Sequence, residues 1–504
     1  MSDDIEKKAS SSMENGFITE EKTSEVVTSK FAWYDNIMSM FKAETRGIER
    51  VPEDERTDES IWSAASMWLS ANMVIATFSL GALSYPAFGL DFGTAVLVIF
   101  FFNLLGVLPV AFFSCFGAKF GLRQMILSRF LVGDFAMRIF AFINCVACVG
   151  WGAVNIMASA QLLHIVNDNC LPPWAGCLIL VVLTIMVTFF GYTAIHLYEK
   201  WSWVPNVVCF IAIIARMKIS GNFEAGHWGT GKDFAGGVLS FGGTVFGFAA
   251  GWTTYAADYT VYMKVDSNPY KTFFAVMAGL CIPLFFTMVL GAACVTGIKT
   301  DEAWAAMYDE YSIGGLVYSI LVTDSLHGFG QFLCVLLGLS TVSNNIPNMY
   351  SIAMCAQAFW GPLRKVPRVV WTLLGNCLTL AICIPAYYSF ADVMDNFMNL
   401  IGYYLAIYDA MSLSEHFIYR KGFGGYNIED YLDRSKTPIG IAGTIGFCFG
   451  AAGVVLGMDQ VWYVGAISKQ IGAAGGDIGF ELAASFSFIA YNIVRPFELK
   501  YCGR

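Results

Sequence analysis

The chain has 504 residues, 56% of them hydrophobic and 14% charged, with a mean hydropathy of +0.57 and a formal net charge of -9. So little polar surface cannot enclose a soluble core of this length, so the composition reads as a polytopic membrane protein set in a lipid bilayer. The negative balance argues against nucleic acid as a partner.

Residues 1–60 are rich in Ser, Glu and Lys and hold no sustained apolar run, so they read as a disordered cytoplasmic arm whose side chains are open to regulatory modification. No apolar core follows a basic start, so no cleavable signal peptide is expected. Twelve apolar stretches long enough to span the hydrocarbon follow, over 62–86, 92–117, 135–165, 174–193, 202–217, 236–262, 270–297, 327–358, 367–388, 391–418, 437–458 and 475–496. Basic residues cluster after the even-numbered spans: Lys119, Arg123 and Arg129, then Lys264 and Lys271, then Arg364, Lys365 and Arg368, then Arg420, Lys421, Arg434 and Lys436. Alternate loops are poor in basic residues or acidic, as in KTDEAWAAMYDE at 299–310. The positive-inside rule then puts both termini in the cytoplasm. The expected division is an arm over 1–60, a transport core of ten spans over 61–420, and two further spans with a short cytoplasmic tail over 421–504.

Spans 1 and 6 carry interruptions at matching places, TFSLGALSYP with Gly81 at its centre and SFGGTVFGFAAGW. Paired breaks of this kind point to an all-α inverted-repeat transporter whose discontinuous helices 1 and 6 meet the substrate at the membrane midplane. Polar groups at that depth face a cavity or a partner. Span 3 places Trp151 and Asn155 on one face, span 6 brings Trp252, span 1 brings Ser79, and span 8 brings Asn344, Asn345 and Asn348. Two indoles away from the interfacial belts suit stacking against a planar ligand, and carboxamides offer a donor beside an acceptor for the edge of a heterocycle. Lys and Arg are missing from this depth, which favours a neutral ligand. Pro347 cannot donate to the carbonyl of Ser343, so it is expected to break span 8 and free that oxygen for a ligand, a cation or a hydroxyl.

The segments ATFSLGALSYP, GAKFGLRQMILSRFLVG, GWGAVN, GWTTYAADYTVY and SNNIPNMYS, in this order, resemble the fungal purine-cytosine permeases of the nucleobase cation symporter-1 family. The resemblance runs over nearly the whole chain from about residue 60. It implies two inverted five-helix repeats plus two C-terminal helices, and proton-coupled uptake of cytosine, adenine, guanine or hypoxanthine at the plasma membrane. Matched by motif, the resemblance implies that Ser79, Trp151, Asn155, Trp252 and Asn348 hold the base, while Asn344, Asn345 and Pro347 shape affinity and selectivity.

Sodium-coupled relatives surround the ion with hydroxyls from spans 1 and 8. Here Ser340, Thr341 and Ser343 are interrupted by Val342, so the proton is the expected coupling ion and sodium is disfavoured. Ser343, Asp258 and Glu199 are the coupling candidates, with Asp395 and Asp409 of span 10 behind them. Tyr403 and Tyr404 are candidate gate residues. No cofactor or metal is expected: Cys145 and Cys148 form a lone CxxC, and the five histidines show no ligand spacing, which also leaves an enzyme without its acid, base or nucleophile. Two alternatives stand beside nucleobase uptake: a symporter for another flat heterocycle, such as a vitamin B6 form or thiamine, and a nutrient sensor that does not transport.

Overall fold

The computed structural model describes residues 47–166, 168–189, 198–472 and 475–504. The expected arm lies outside the described residues up to position 46, as do positions 190–193 of the fourth expected span.

The first apolar stretch divides. Helix α1 (Ile61–Asn72) stops, Met73 leaves helical geometry, Val74 is extended, and α2 (Ile75–Ala82) leaves at 56° to α1. Then come α3 (Phe92–Phe120), α4 (Gln124–Leu131), α5 (Asp134–Val166), α6 (Pro173–Phe189) and α7 (Trp203–Ser220). The Asp91 carboxylate caps α3 by accepting the Thr94 amide at 2.9 Å, and Gly121 ends it with φ 66°, a left-handed turn that glycine adopts freely. Helix α8 (Lys232–Ala250) passes at Gly251 and Trp252 into a 3-10 segment, Thr253–Tyr259, in which Tyr255 leaves helical geometry. Next are α9 (Pro269–Val295), α10 (Glu302–Leu321), α11 (His327–Gly338), α12 (Thr341–Phe359), α13 (Arg368–Ala386) and α14 (Phe390–Ser414). Helices α15 (Ile441–Gly457) and α16 (Gly479–Cys502) enclose a small antiparallel hairpin of β1 (Asp459–Gln460) and β2 (Tyr463–Val464).

Seven described segments are long and apolar enough to cross a membrane, and the bent α1–α2 pair makes an eighth. Two of the seven, Glu302–Phe359 and Arg368–Tyr419, contain more than one helix, and α6 and α15 are apolar but shorter.

Three sequence expectations are corrected. Gly81 is not the break in span 1: it lies inside α2, where a Cβ would run into the backbone carbonyl of Met288, so its role is close packing on α9. Pro347 does not break span 8 either. It sits within the continuous α12, and the interruption falls at Leu339–Ser340, between α11 and α12. The acidic stretch 299–310, read as a loop, forms most of the first half of α10, whose start is capped by the Asp301 carboxylate accepting the amides of Ala303 and Trp304. The span 6 interruption is present, at the far end of the motif that suggested it.

The helices sort into two packed groups. Helix α9 packs against α1, α2 and α3, and α3 against α8, while α5 packs against α6, α11, α12 and α13. At the chain's end, Arg495 of α16 donates twice to Glu415, at 2.8 and 2.9 Å. The Glu498 carboxylate accepts three amides at the start of α15, from Gly440, Ile441 and Ala442. These buried bonds tie α14, α15 and α16 together without leaving a charge alone.

Candidate functional site

Stopping α1 at Asn72 strands backbone groups in the protein interior, where each unsatisfied group costs several kcal/mol in a lipid setting. The start of α12 meets them. The Ser343 hydroxyl donates to the carbonyl of Ser70 at 3.1 Å, the Asn344 amide donates to the carbonyl of Ala71 at 2.6 Å, and the Ser340 hydroxyl accepts the amide of Ile75 at 3.0 Å. The polar run in α12 is therefore first of all the hydrogen-bonding complement of the α1–α2 break.

Beside this junction lie the two indoles. Trp151 of α5 and Trp252 are each 1% exposed, with ring centroids 6.0 Å apart and planes 16° from parallel. Phe248 and Phe397 meet the Trp151 ring edge-on at 5.2 and 5.6 Å, and Gly251 has no room for a Cβ because the Trp151 ring occupies that space. Trp252 donates its Nε1–H to the Asn72 side chain at 3.2 Å, whereas Trp151 Nε1 is buried without a protein acceptor among the described residues.

The carboxamides divide into committed and free. Asn344 accepts from Asn155 at 2.6 Å while donating to Ala71, and Asn348 accepts the Tyr255 hydroxyl at 2.7 Å while donating to the carbonyl of Asn344 at 2.9 Å. The side-chain oxygens of Asn155 and Asn345 are buried without a donor among the described residues. Trp151, Trp252, Asn155, Asn344 and Asn348 thus form one connected cluster. Ser79 is buried in α2 and donates to its own helix, to the carbonyl of Ile75 at 2.9 Å.

Below the indoles the 3-10 segment is stitched to its surroundings. Thr254 and Tyr404 both donate to the Asn144 side-chain oxygen, at 2.7 and 3.2 Å, and Tyr259 donates to the carbonyl of Pro347 at 2.9 Å. The Asp258 carboxylate accepts the Gln124 amide at 2.8 Å, and its carbonyl accepts from Arg123 at 2.7 Å. Asp258 thus holds the start of α4. Glu199 differs: it is fully buried, and both carboxylate oxygens lack a donor among the described residues. Its backbone carbonyl accepts from the Ser70 hydroxyl, so Glu199 and Ser343 meet the same residue at the α1–α2 break. Ser340 and Thr341 spend their hydroxyls on the carbonyl of Leu337 and on Ser159.

Sequence reasoning missed several residues of this cluster. Trp68 packs on Trp252 at 5.3 Å and Tyr259 at 5.6 Å, and Asn72 sits one turn further along α1. The same depth argument applied to WLSAN in span 1 would have found both. Tyr255, Thr254 and Asn144 carry no such signal, because their contacts depend on the backbone leaving the helix after Ala250.

Comparison with known proteins is consistent with this architecture. A family described as permease for cytosine/purines, uracil, thiamine, allantoin matches residues 50–465. The chain is 60% identical to Purine-cytosine permease FCY2 of Saccharomyces cerevisiae, over 94% of this chain and 90% of that one. Against Purine-cytosine permease fcyB of Emericella nidulans the identity is 46%, covering 94% and 93%. A Vitamin B6 transporter, TPN1 of Saccharomyces cerevisiae, is 26% identical, covering 95% and 91%. Among solved structures, a nucleobase-cation-symport-1 family transporter in a closed conformation with bromovinylhydantoin bound aligns with a TM-score of 0.64 at 16% identity, over 91% of this chain and 95% of that one; the likeness shows a shared fold. This multi-pass membrane protein is a transporter and not an enzyme, and it belongs to the permease family for cytosine/purines, uracil, thiamine and allantoin.

Proposed function

We propose that the protein takes up nucleobases, namely cytosine, adenine, guanine and hypoxanthine, by proton-coupled alternating access at the plasma membrane. The observation that carries this reading is the pair of near-parallel buried indoles, Trp151 and Trp252, together with two buried carboxamide oxygens that have no donor among the described residues, that of Asn155, one turn from Trp151 on α5, and that of Asn345 on α12. A base presents two π faces and ring or exocyclic N–H donors, so it suits both features. Stacking contributes roughly 1–3 kcal/mol per base. Layers in van der Waals contact lie about 3.5 Å apart, so a base stacked between the two rings needs their faces about 7 Å apart. The names of the similar permeases support the same substrate class.

In this reading the chain has twelve spans with cytoplasmic termini, arranged as a five-plus-five inverted repeat and two C-terminal helices. The group containing α1, α2, α3, α8 and α9 rocks against the group containing α5, α6, α11, α12 and α13. Ser79, Asn344 and Asn348 complete the base site, with Pro347 shaping it. Glu199 carries the coupling proton, because a buried carboxyl beside the broken helix, without a partner among the described residues, is placed to bind a proton and to sense the break through Ser70. Each proton moving down 100 mV supplies about 2.3 kcal/mol, about fifty-fold accumulation.

Uptake of radiolabelled cytosine and adenine in cells lacking their own permeases tests the proposal. Saturable accumulation is expected; saturable binding without accumulation would instead mark a sensor. The similarity to a vitamin B6 transporter favours one second reading. Competition by a panel of bases, pyridoxine and thiamine separates the two: inhibition by the vitamins and not by the bases would replace the nucleobase assignment.

A further inference from the structure

Between the cluster of indoles and carboxamides and the basic segment 361–368, a run of buried rings closes the protein. Trp252 meets Trp68, Trp68 meets Tyr259, and Tyr259 meets Tyr350 of α12, with ring centroids 5.3, 5.6 and 5.8 Å apart. At 1.5 Å per residue, Tyr350 lies about 9 Å beyond Asn344 along α12. Two guanidiniums stand over its ring, Arg123 at 5.4 Å and Arg368 at 4.8 Å from the centroid. Arg123 and Tyr350 are each 1% exposed and Arg368 5%, so this layer is shut to water.

The contact joins elements of both packed groups. Arg123, just before α4, donates Nη1–H to the carbonyl of Asp258 at 2.7 Å, and Asp258 belongs to the 3-10 segment that packs on α3. Tyr350 and Arg368 belong to α12 and α13, of the other group. Arg123 therefore bridges the seam. Its chemistry suits a joint that parts in every transport cycle: the negative face of the ring attracts the guanidinium while the layer is dry, and water takes it up once the layer opens. We propose that Arg123 and Tyr350 form the inner gate of the transport path, with Arg368 steadying the ring from α13, and that the base leaves on this side only after Arg123 lets go. The gate rests on the rocking motion proposed above, whichever solute is carried.

The test uses the full chain in inside-out membrane vesicles and a membrane-impermeant maleimide. Ser351 follows Tyr350 and is fully buried, so Ser351→Cys reports opening, with alkylation at that position read by mass spectrometry apart from the native cysteines. In this background Tyr350→Leu and Arg123→Gln should each speed alkylation about 5- to 30-fold, the effect of one lost cation–ring contact at a dry site. Tyr350→Phe keeps a ring and Arg123→Lys keeps the charge, so both should stay near the parent rate. The double variant Tyr350→Leu with Arg123→Gln should be no faster than the faster single one, because both remove the same contact. Should Tyr350→Leu yield no folded protein, Arg123→Gln against Arg123→Lys carries the test alone. Parent-rate alkylation in Arg123→Gln, or additive effects in the double variant, would overturn the gate. Labelled-cytosine uptake by the unaltered protein keeps that result distinct from a failure of the transport reading.

Discussion

The Asn344 side chain donates to the carbonyl of Ala71 at 2.6 Å, so α12 supplies the hydrogen bond that α1 forfeits by stopping at Asn72. Asn344 therefore has a structural duty that precedes any contact with substrate, and the break in one half of the molecule is held open by a side chain from the other half.

Replacing Asn344 with leucine keeps the volume and removes both functions of the amide. The Ala71 carbonyl and the Asn155 amide lose their partners, at about 1–3 kcal/mol for each buried group. Asn344→Leu is expected to lower the apparent melting temperature of the detergent-purified protein and to abolish uptake. Wild-type melting would show that α2 is held without this bond.

Trp151 is the cleaner probe of stacking, because its Nε1–H has no acceptor among the described residues, so its substitution breaks no hydrogen bond seen there. Trp151→Phe keeps a ring, whereas Trp151→Ala removes it. Losing one stacking partner should raise the uptake KM by about 5- to 150-fold, the equivalent of roughly 1–3 kcal/mol, with surface delivery unchanged. Trp151→Phe should fall between the two. Equal KM values for all three proteins would remove this indole from the base site.

Asn348 poses a different question, since Tyr255 already occupies its oxygen at 2.7 Å. Asn348→Ala is expected to abolish or severely cut uptake while the protein reaches the surface. Tyr255→Phe removes only the partner hydroxyl and frees the Asn348 oxygen, so base affinity should persist. Equal losses in both variants would make the pair a gate latch and take Asn348 out of the base site.

Much of this site was legible from depth alone, because buried indoles and carboxamides in oil demand partners wherever the helices run. The break was not. Met73 and Val74 carry neither glycine nor proline, and the reason α1 can stop there lies some 270 positions away in Ser340, Ser343 and Asn344. Gly81 misled for the opposite reason: a glycine in a membrane helix serves close packing as readily as a bend. Pro347 misled because a membrane helix tolerates an internal proline when its surroundings support it, and α12 carries on through this one. The acidic residues at 299–310 read as loop although Asp301 is placed as a helix cap.

Gly81 makes a sharp stability prediction. A methyl group there would overlap the Met288 carbonyl, which is backbone and cannot swing aside. Overpacking of this kind typically costs about 1–3 kcal/mol, so Gly81→Ala should reduce melting temperature and yield of folded protein. Gly89 has φ 66° and open space around its Cβ position, so Gly89→Ala should be strained in the backbone without any clash. Normal melting of Gly81→Ala would mean that α2 and α9 separate more readily than their packing implies.

Glu199 decides the coupling question. Its buried carboxyl has no partner among the described residues, so Glu199→Gln, nearly identical in shape, should fold and reach the surface. A glutamine cannot carry a proton. The variant should still exchange labelled for unlabelled base across the membrane, because exchange needs only the base site and the rocking motion. It should fail to accumulate base above the outside concentration, and its uptake should no longer rise as the outer pH falls. Loss of exchange together with accumulation would assign Glu199 a structural part at the Ser70 junction. Accumulation with the wild-type pH profile would place the coupling proton elsewhere, with Ser343 and Asp258 the next residues to vary.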